Sequence, residues 1–167
     1  MIIDSHCHLT YEPMASSIEK TIINANKNNV EYLLTISTED NSFNKILDII
    51  NKHRCVYGTY GIHPHEAKKH KQINTEKIIE NVKKNNKIIG IGETGLDFYY
   101  NHSEKKDQFE LFNEHISASK LVNLPLIVHT RSAEAETLDI LRKASNKSNL
   151  KILIHCFTGT KSFAFKL

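Results

Sequence analysis

Five residues of types that bind metals in proteins stand at the ends of short apolar runs: His6, His8, Glu93, His129 and His155. The runs are rich in Ile, Leu and Val, which is typical of buried strands. A strand that stops on an imidazole or a carboxylate places that group at one edge of a sheet. Because this pattern recurs along the chain, its simplest explanation is a metal site at that edge.

The spacing and types of these residues indicate what the site could do. His6 and His8 are two positions apart, so on a strand both imidazoles would point to one side and could reach one cation. The two oxygens of Glu93 could bridge two cations about 3.5–4 Å apart. Such a pair activates a water molecule and neutralises charge on a leaving oxygen, which suits hydrolysis of phosphate esters or amides.

The elements that must position these residues alternate in type along the chain. Several strand candidates are apolar on both faces, which favours parallel strands over half-exposed antiparallel ones. The segments between them carry apolar residues three and four positions apart, which predicts helices. The sequence therefore predicts an α/β fold with a parallel sheet. The strand candidates are 1–5, 31–37, 55–62, 87–92, 124–129 and 151–155.

Composition and charge limit the classes of protein to consider. The 167 residues suit one domain over 1–167, since no linker or low-complexity tract divides them. The net charge of +3 permits a polyanionic partner without requiring one. Three cysteines without a CxxC pair favour a reducing compartment. No signal peptide is evident and no run approaches the ~20 apolar residues of a membrane helix, so we expect a cytoplasmic protein without a membrane partner.

Several longer motifs resemble the TatD family of metal-dependent deoxyribonucleases. They occur in family order and cover nearly the whole chain, and their combination is highly specific. The motifs are DSHCHL at 4–9, GIHPH at 61–65, GETGLD at 92–97, LPLIVHTRSA at 124–133 and HCFTG at 155–159, together with Gln108 and Phe112.

This resemblance implies a (β/α)8 TIM barrel, here incomplete, with about six βα units and parallel strands. It also implies phosphodiester hydrolysis in DNA as a 3′–5′ exonuclease, with single-stranded 3′ ends as a candidate substrate. Two divalent metal ions are expected, as Mg, Zn or Mn. The resemblance assigns Glu93 as the bridging ligand and four histidines as the others: His6, His8, His129 and His155.

Three further residues are candidates for contact with substrate. Arg131 could bind a phosphate through its guanidinium, and we count it with Glu93 as a catalytic candidate; a structural ion pair is the alternative. We favour a substrate-binding or supporting role for His63 over direct metal ligation. Asp97 could orient residues of the site, or could be an ordinary turn carboxylate.

Two other histidines are interpreted as structural. His65 follows a proline and is expected to order its loop. His115 lies on a predicted helix beside apolar residues, so we expect it to pack there rather than to act in the site.

The length of the chain departs from the family. A complete barrel of this type has about 250 residues, and six strands would leave two open edges. The resemblance places another metal-binding aspartate beyond 161–167, and no residue here matches it. The chain could therefore be part of a longer protein, self-associate, or pair with a complementing C-terminal fragment.

Two alternative functions stay open. The same kind of metal centre could serve an amidohydrolase-type esterase or amidase, such as a D-aminoacyl-tRNA deacylase. Without the aspartate, the chain could also be a catalytically inactive metal-binding fragment.

Overall fold

Six parallel strands and the helices between them form a curled half-barrel in the computed structural model, which describes residues 1–100, 102–146 and 148–167. The strands are β1 Ile2–Cys7, β2 Val30–Thr35, β3 Val56–Tyr60, β4 Ile88–Asp97, β5 Leu126–Arg131 and β6 Ile152–Ile154. The α-helices are α1 Ile18–Lys27, α2 Phe43–Lys52, α3 Thr75–Val82, α4 Lys105–Val122, α5 Glu134–Ser145 and α6 Lys161–Ala164. Short 3-10 helices cover Ala15–Ser17, Asp40–Ser42 and Pro64–Lys69.

The sheet has the strand order of a TIM barrel. Each strand pairs in parallel with the next one in the sequence, from β1 to β6. A parallel pair needs a crossover connection, and amphipathic helices such as α2 provide it while covering the outer face of the sheet. The predicted fold class is therefore confirmed, and the predicted alternation of strand and helix is present. Among the described residues, β1 and β6 are the outer strands of the sheet.

The prediction that the candidate metal ligands end their strands is wrong for Glu93 and His129, and β1 also continues one residue past His6. The sequence predicts a strand over 87–92, but β4 continues through Glu93 to Asp97. Likewise β5 continues past His129 to Arg131. The sequence predicts that these strands end at the polar side chains, because those side chains interrupt the apolar runs. In the folded chain Glu93, Thr94 and Asp97 are buried, so the strand continues where the hydrophobic pattern stops.

The core lies between the sheet and the helices around it. Phe43 at the start of α2 meets Tyr60 of β3 edge to face, with ring centroids 4.7 Å apart. Phe112 of α4 is fully buried, as are Ile46 and Ile50 of α2. These helices cover the strands that carry the polar residues, and so hold those strands in place. No helix in the described part of the chain is long and apolar enough to cross a membrane.

Two glycines of β4 let it approach β5 closely. Gly92 and Gly95 have φ values of +133° and +136°, which L side chains rarely adopt. A Cβ atom on Gly95 would lie 2.0 Å from the carbonyl oxygen of His129. This close contact lets residues of β4 and β5 meet on the same side of the sheet.

We therefore expect Gly95→Ala to destabilise the chain by roughly 3 kcal/mol or more, because both the φ value and the clash oppose it. Urea unfolding measures this change. Gly159→Ala is the control, since the atoms around that position belong to the Phe157 and Phe163 side chains, which can move. Equal destabilisation by the two substitutions would contradict the close-approach argument.

Candidate metal centre

The carboxylate of Glu93 lies among imidazoles that come from four different parts of the chain. Glu93 is only 3% exposed. Its Oε1 lies 2.5 Å from His155 Nε2, 3.2 Å from His129 Nδ1 and 3.6 Å from His63 Nε2. Its Oε2 lies 3.4 Å from His6 Nε2. Both oxygens therefore face nitrogen atoms, which is the arrangement needed for a bridging carboxylate.

The paired histidines of β1 have donor atoms without partners. Both ring nitrogens of His6 and Nδ1 of His8 are buried, and in the part of the chain that the structure describes they have no hydrogen-bond partner. The 3.4 Å approach of His6 to Glu93 lacks hydrogen-bond geometry. Native proteins rarely leave buried polar atoms unpaired, so such nitrogens are candidates to bind an ion or a water molecule. His6, His8 and Glu93 each offer one donor atom within 4.8 Å of the others, which suits a metal ion.

Glu93 belongs to a second group of donors as well. One atom each from His63, Glu93 and His129 also lie within 4.8 Å of one another. A carboxylate shared by two such groups fits two cations on either side of it. The predicted ligands His6, His8, Glu93, His129 and His155 are thus brought together by the fold.

The hydrogen bonds of His63 limit what this residue can do. Its Nδ1 accepts a hydrogen bond from the backbone N–H of His65 at 3.2 Å. Burial lowers the pKa of His63 to about 3, so the ring is neutral and carries its proton on Nε2. That Nε2–H points towards Glu93 and can donate to an oxygen. In this tautomer, metal ligation through Nε2 would require loss of the proton, although His63 is also one of the three grouped donors. The substrate-binding or supporting role of His63 stays a prediction.

Asp97 fixes the orientation of two imidazoles. Its Oδ2 accepts hydrogen bonds from His129 Nε2 at 2.9 Å and from His65 Nε2 at 2.8 Å. With Nε2 protonated and held by Asp97, His129 directs Nδ1 towards Glu93. Carboxylate–histidine pairs of this kind orient metal ligands and fix their tautomer. Oδ1 of Asp97 also accepts the backbone N–H groups of Tyr99 and Tyr100, so the residue shapes the following turn too.

Charge in the centre follows from these contacts. Burial opposes ionisation of Glu93, but the imidazoles of His129, His155 and His6 outweigh it and hold the pKa of its carboxyl well below the usual range. Burial likewise opposes a charged His129, yet the carboxylates of Glu93 and Asp97 raise its pKa. The centre therefore attracts positive charge at the position between His129 Nδ1 and Glu93.

Arg131 is not placed for an ion pair, which was the alternative to a phosphate-binding role. Its guanidinium lies over the ring of Tyr99 at 4.0 Å and over that of Tyr100 at 4.9 Å. No carboxylate of the described residues forms a salt bridge with it. Arg131, Tyr99 and Tyr100 are all exposed at the rim. We call these three residues the aromatic rim.

The sequence analysis did not assign some residues to the site, and it gave others a role that the structure extends. His65 orders its loop, as expected, but its ring also joins the network through Asp97. Gln108 of α4 holds the backbone of Asp97, because its Oε1 accepts from Asp97 N–H at 2.8 Å and its Nε2 donates to Asp97 O at 3.1 Å. In the sequence, only the motif match at Gln108 indicated that this residue could belong to the site. No such match indicated Tyr11, which stacks on His8.

The residues of the centre line a cavity of about 380 Å³. This volume is large enough to admit a small substrate group together with metal ions. The lining residues come from loops after β1, β2, β3 and β6 and from β4 and β5: His8, Tyr11, Thr38, His63, His65, Glu66, Glu93, His129 and His155.

The chain has the parallel strands and alternating helices of a TIM barrel, and its imidazoles and a carboxylate lie together on one side. These features place it in the class of TIM-barrel proteins with a candidate metal site. The model of the family described as TatD related DNase matches residues 3–167, and the chain belongs to this family.

Individual relatives agree with this assignment. The chain is similar to the uncharacterized metal-dependent hydrolase BU355 of Buchnera aphidicola, with 36% identity over 99% of this chain and 66% of the relative. It is 28% identical to human deoxyribonuclease TATDN3, over 99% of this chain and 64% of that protein. The crystal structure of YjjV, a TatD homolog from Escherichia coli, matches the fold with a TM-score of 0.91 at 24% identity, over 99% of this chain and 63% of that one. The chain spans 59–66% of the length of the first curated relatives that it matches.

His115 stabilises the backbone next to the site through two hydrogen bonds. Its Nε2 accepts the backbone N–H of Ile62 at 3.1 Å, and its Nδ1 donates to Leu111 O at 2.8 Å. The predicted packing role is therefore extended by hydrogen bonds that hold the backbone next to His63. Burial lowers the pKa of His115 from 6.5 to about 4.

This buried histidine predicts a pH dependence of stability. Between the two pKa values the unfolded chain binds more protons, so stability is present above about pH 6.5 and falls as the pH drops towards 4. His115→Gln should reduce the difference in unfolding free energy between about pH 7 and about pH 5 by roughly 2 kcal/mol. Urea unfolding at both pH values measures it.

The control for this measurement is Leu111→Ala, which removes a buried apolar contact on the same helix but no titratable group. It should lower stability by the same amount at both pH values. A His115→Gln variant with the pH dependence of the parent chain would contradict the assignment.

Proposed function

We propose that this chain carries the metal centre of a phosphodiesterase that hydrolyses DNA. The observation that carries the proposal is the buried Glu93 carboxylate, both oxygens of which face imidazole nitrogens, some of them unpartnered. The name of human TATDN3 as a deoxyribonuclease supports DNA as the substrate class. Cleavage from the 3′ end of single strands, as a 3′–5′ exonuclease, rests on resemblance to the family alone. The cytoplasmic location also stays a prediction.

The proposed ligands are Glu93, as the bridge between two divalent cations, and four histidines on either side of it: His6, His8, His129 and His155. This donor set is rich in imidazole, which suits Zn²⁺ better than Mg²⁺ or Mn²⁺, both of which prefer oxygen ligands. When bound, such cations supply an activated water molecule and neutralise charge on the phosphate oxygens.

The remaining residues of the centre receive roles from their contacts. Asp97 holds His129 with its Nδ1 directed at Glu93, and so keeps the donor in place. His63 has an Nε2 proton available to donate to a phosphate or leaving oxygen. Arg131 ends β5 two residues after His129, and its exposed guanidinium could contact a phosphate while its face remains stacked on Tyr99. Each role can be removed by a single substitution.

We expect Glu93→Gln to lose at least about 100-fold in metal-dependent turnover of single-stranded DNA, since even supporting residues of metal sites cost 10–100-fold. The substitution keeps the shape of the side chain but removes the charge that the cations need. Turnover is measured with Mn²⁺ or Zn²⁺ together with the amount of metal bound. His53→Gln is the control, because the imidazole of His53 lies 3.4 Å from Glu19, away from the centre.

Other results would separate the alternatives. Unchanged turnover in Glu93→Gln would contradict the assignment of Glu93 to the metal centre. Hydrolysis of an aminoacyl ester but not of DNA would favour an esterase or amidase, such as a D-aminoacyl-tRNA deacylase. Metal binding without turnover of either substrate would favour a catalytically inactive metal-binding fragment. Self-association, or pairing with a complementing C-terminal fragment along β1 or β6, remains a prediction for the same chain.

The aromatic rim predicts how a single strand binds. Stacking of a base on an exposed aromatic ring contributes about 1–3 kcal/mol, so Tyr99→Ala should weaken binding of single-stranded DNA by roughly 5- to 150-fold. Tyr99→Phe should restore it, because the ring remains. Fluorescence anisotropy with a labelled oligonucleotide measures the affinity. Tyr32→Ala, at an exposed tyrosine of β2, is the matched control. Equal binding by Tyr99→Ala and the parent chain would rule out stacking at this position.

A further inference from the structure

We propose that Glu39, Glu66 and His70 form a second divalent-cation site, next to the Glu93 centre, whose cavity Glu66 also lines. One carboxylate oxygen from each glutamate and one imidazole nitrogen of His70 lie within 4.8 Å of one another. None of these residues belongs to the proposed ligand set of the first centre. The proposal is independent of the proposed function, since it concerns binding of a cation and needs no turnover.

His70 provides the observation that separates this group from an ordinary acidic cluster. Its side chain is only 4% exposed, and both of its ring nitrogens are buried without a hydrogen-bond partner among the described residues. Buried polar atoms are rarely left unpaired in native proteins. Because one nitrogen lies within 4.8 Å of both carboxylates, a cation between them would occupy that nitrogen and neutralise the two negative charges.

Two loops of the barrel bring the three residues together. Glu39 lies in the loop after β2, directly before the short helix Asp40–Ser42. Glu66 lies in the 3-10 helix Pro64–Lys69 after β3, and His70 follows that helix directly. The backbone N–H of His63 donates to Thr38 O at 2.8 Å, which joins the two loops beside the site. A cation bound here would clamp the loop after β2 to the loop that carries His63.

The nature of the donors points to a class of cation. One imidazole and two carboxylates suit ions of intermediate softness, such as Zn²⁺ or Co²⁺. Glu39 and Glu66 are partly exposed, so water can complete the coordination sphere. A site formed only by oxygen atoms would instead favour Mg²⁺ or Ca²⁺.

Lys69 competes for one of the carboxylates. Its Nζ lies 2.7 Å from Glu66 Oε2, and this contact raises the pKa of the lysine. The lysine side chain is 61% exposed, and exposed ion pairs of this kind are weak. The ammonium group can therefore move aside when a divalent cation binds. Removing it should strengthen cation binding, which is a result that a purely structural role for the cluster would not give.

The experiment uses the whole chain with Glu93→Gln, in which the first centre is disabled. Zn²⁺ is titrated by calorimetry, and the bound metal is counted after desalting. We expect one Zn²⁺ to remain in this background and to be lost on further substitution by His70→Gln or Glu39→Gln. Lys69→Ala should bind Zn²⁺ several-fold more tightly. His53→Gln, at a histidine that contacts Glu19, is the control and should change neither result.

Thermal unfolding provides a second readout that does not depend on the count. Zn²⁺ should raise the melting temperature of the Glu93→Gln chain but not that of the Glu93→Gln, His70→Gln chain. A metal count that His70→Gln and Glu39→Gln leave unchanged would overturn the proposal. So would an affinity that Lys69→Ala does not increase. Loss of DNA turnover alone would bear on the first centre and leave this result intact.

Discussion

Burial of an ionised carboxylate is the constraint on which the rest of the site depends. Glu93 is 3% exposed, and a buried negative charge strongly disfavours folding unless it is paired. The chain satisfies it with imidazoles from β1, β5 and the loops after β3 and β6. Because these elements are distant in sequence, the sheet must curl before the charge is stabilised. The same requirement makes the site an attractive place for cations.

Hydrogen bonds hold the residues around Glu93 in place. Asp97 orients His129, and Gln108 of α4 holds the backbone of Asp97 on both its N–H and its C=O group. His115 on the same helix holds Ile62, next to His63. A single helix, α4, thereby positions Asp97 on β4 and the backbone of Ile62 in the loop after β3. These hydrogen bonds link the positions of the site residues to the packing of α4 against the sheet.

Close approach of the strands is the second physical condition. Gly92 and Gly95 flank Glu93 and have positive φ values, and a Cβ at Gly95 would collide with the carbonyl of His129. Glycine at these positions allows β4 and β5 to pair while Asp97 reaches His129. The motif that surrounds Glu93 therefore reflects backbone geometry as much as it reflects metal chemistry.

The sequence by itself determined the alternation of strand and helix, the parallel sheet and the residue types of the centre, because hydrophobic period and donor chemistry are local properties. It misplaced the ends of β4 and β5, since buried polar residues interrupt the apolar pattern without ending a strand. Only the tertiary structure decided the role of His65, the stacking of Arg131 on Tyr99 and the unpartnered burial of His70. Those features depend on side chains from separate loops, and their distances exist only once the strands have assembled.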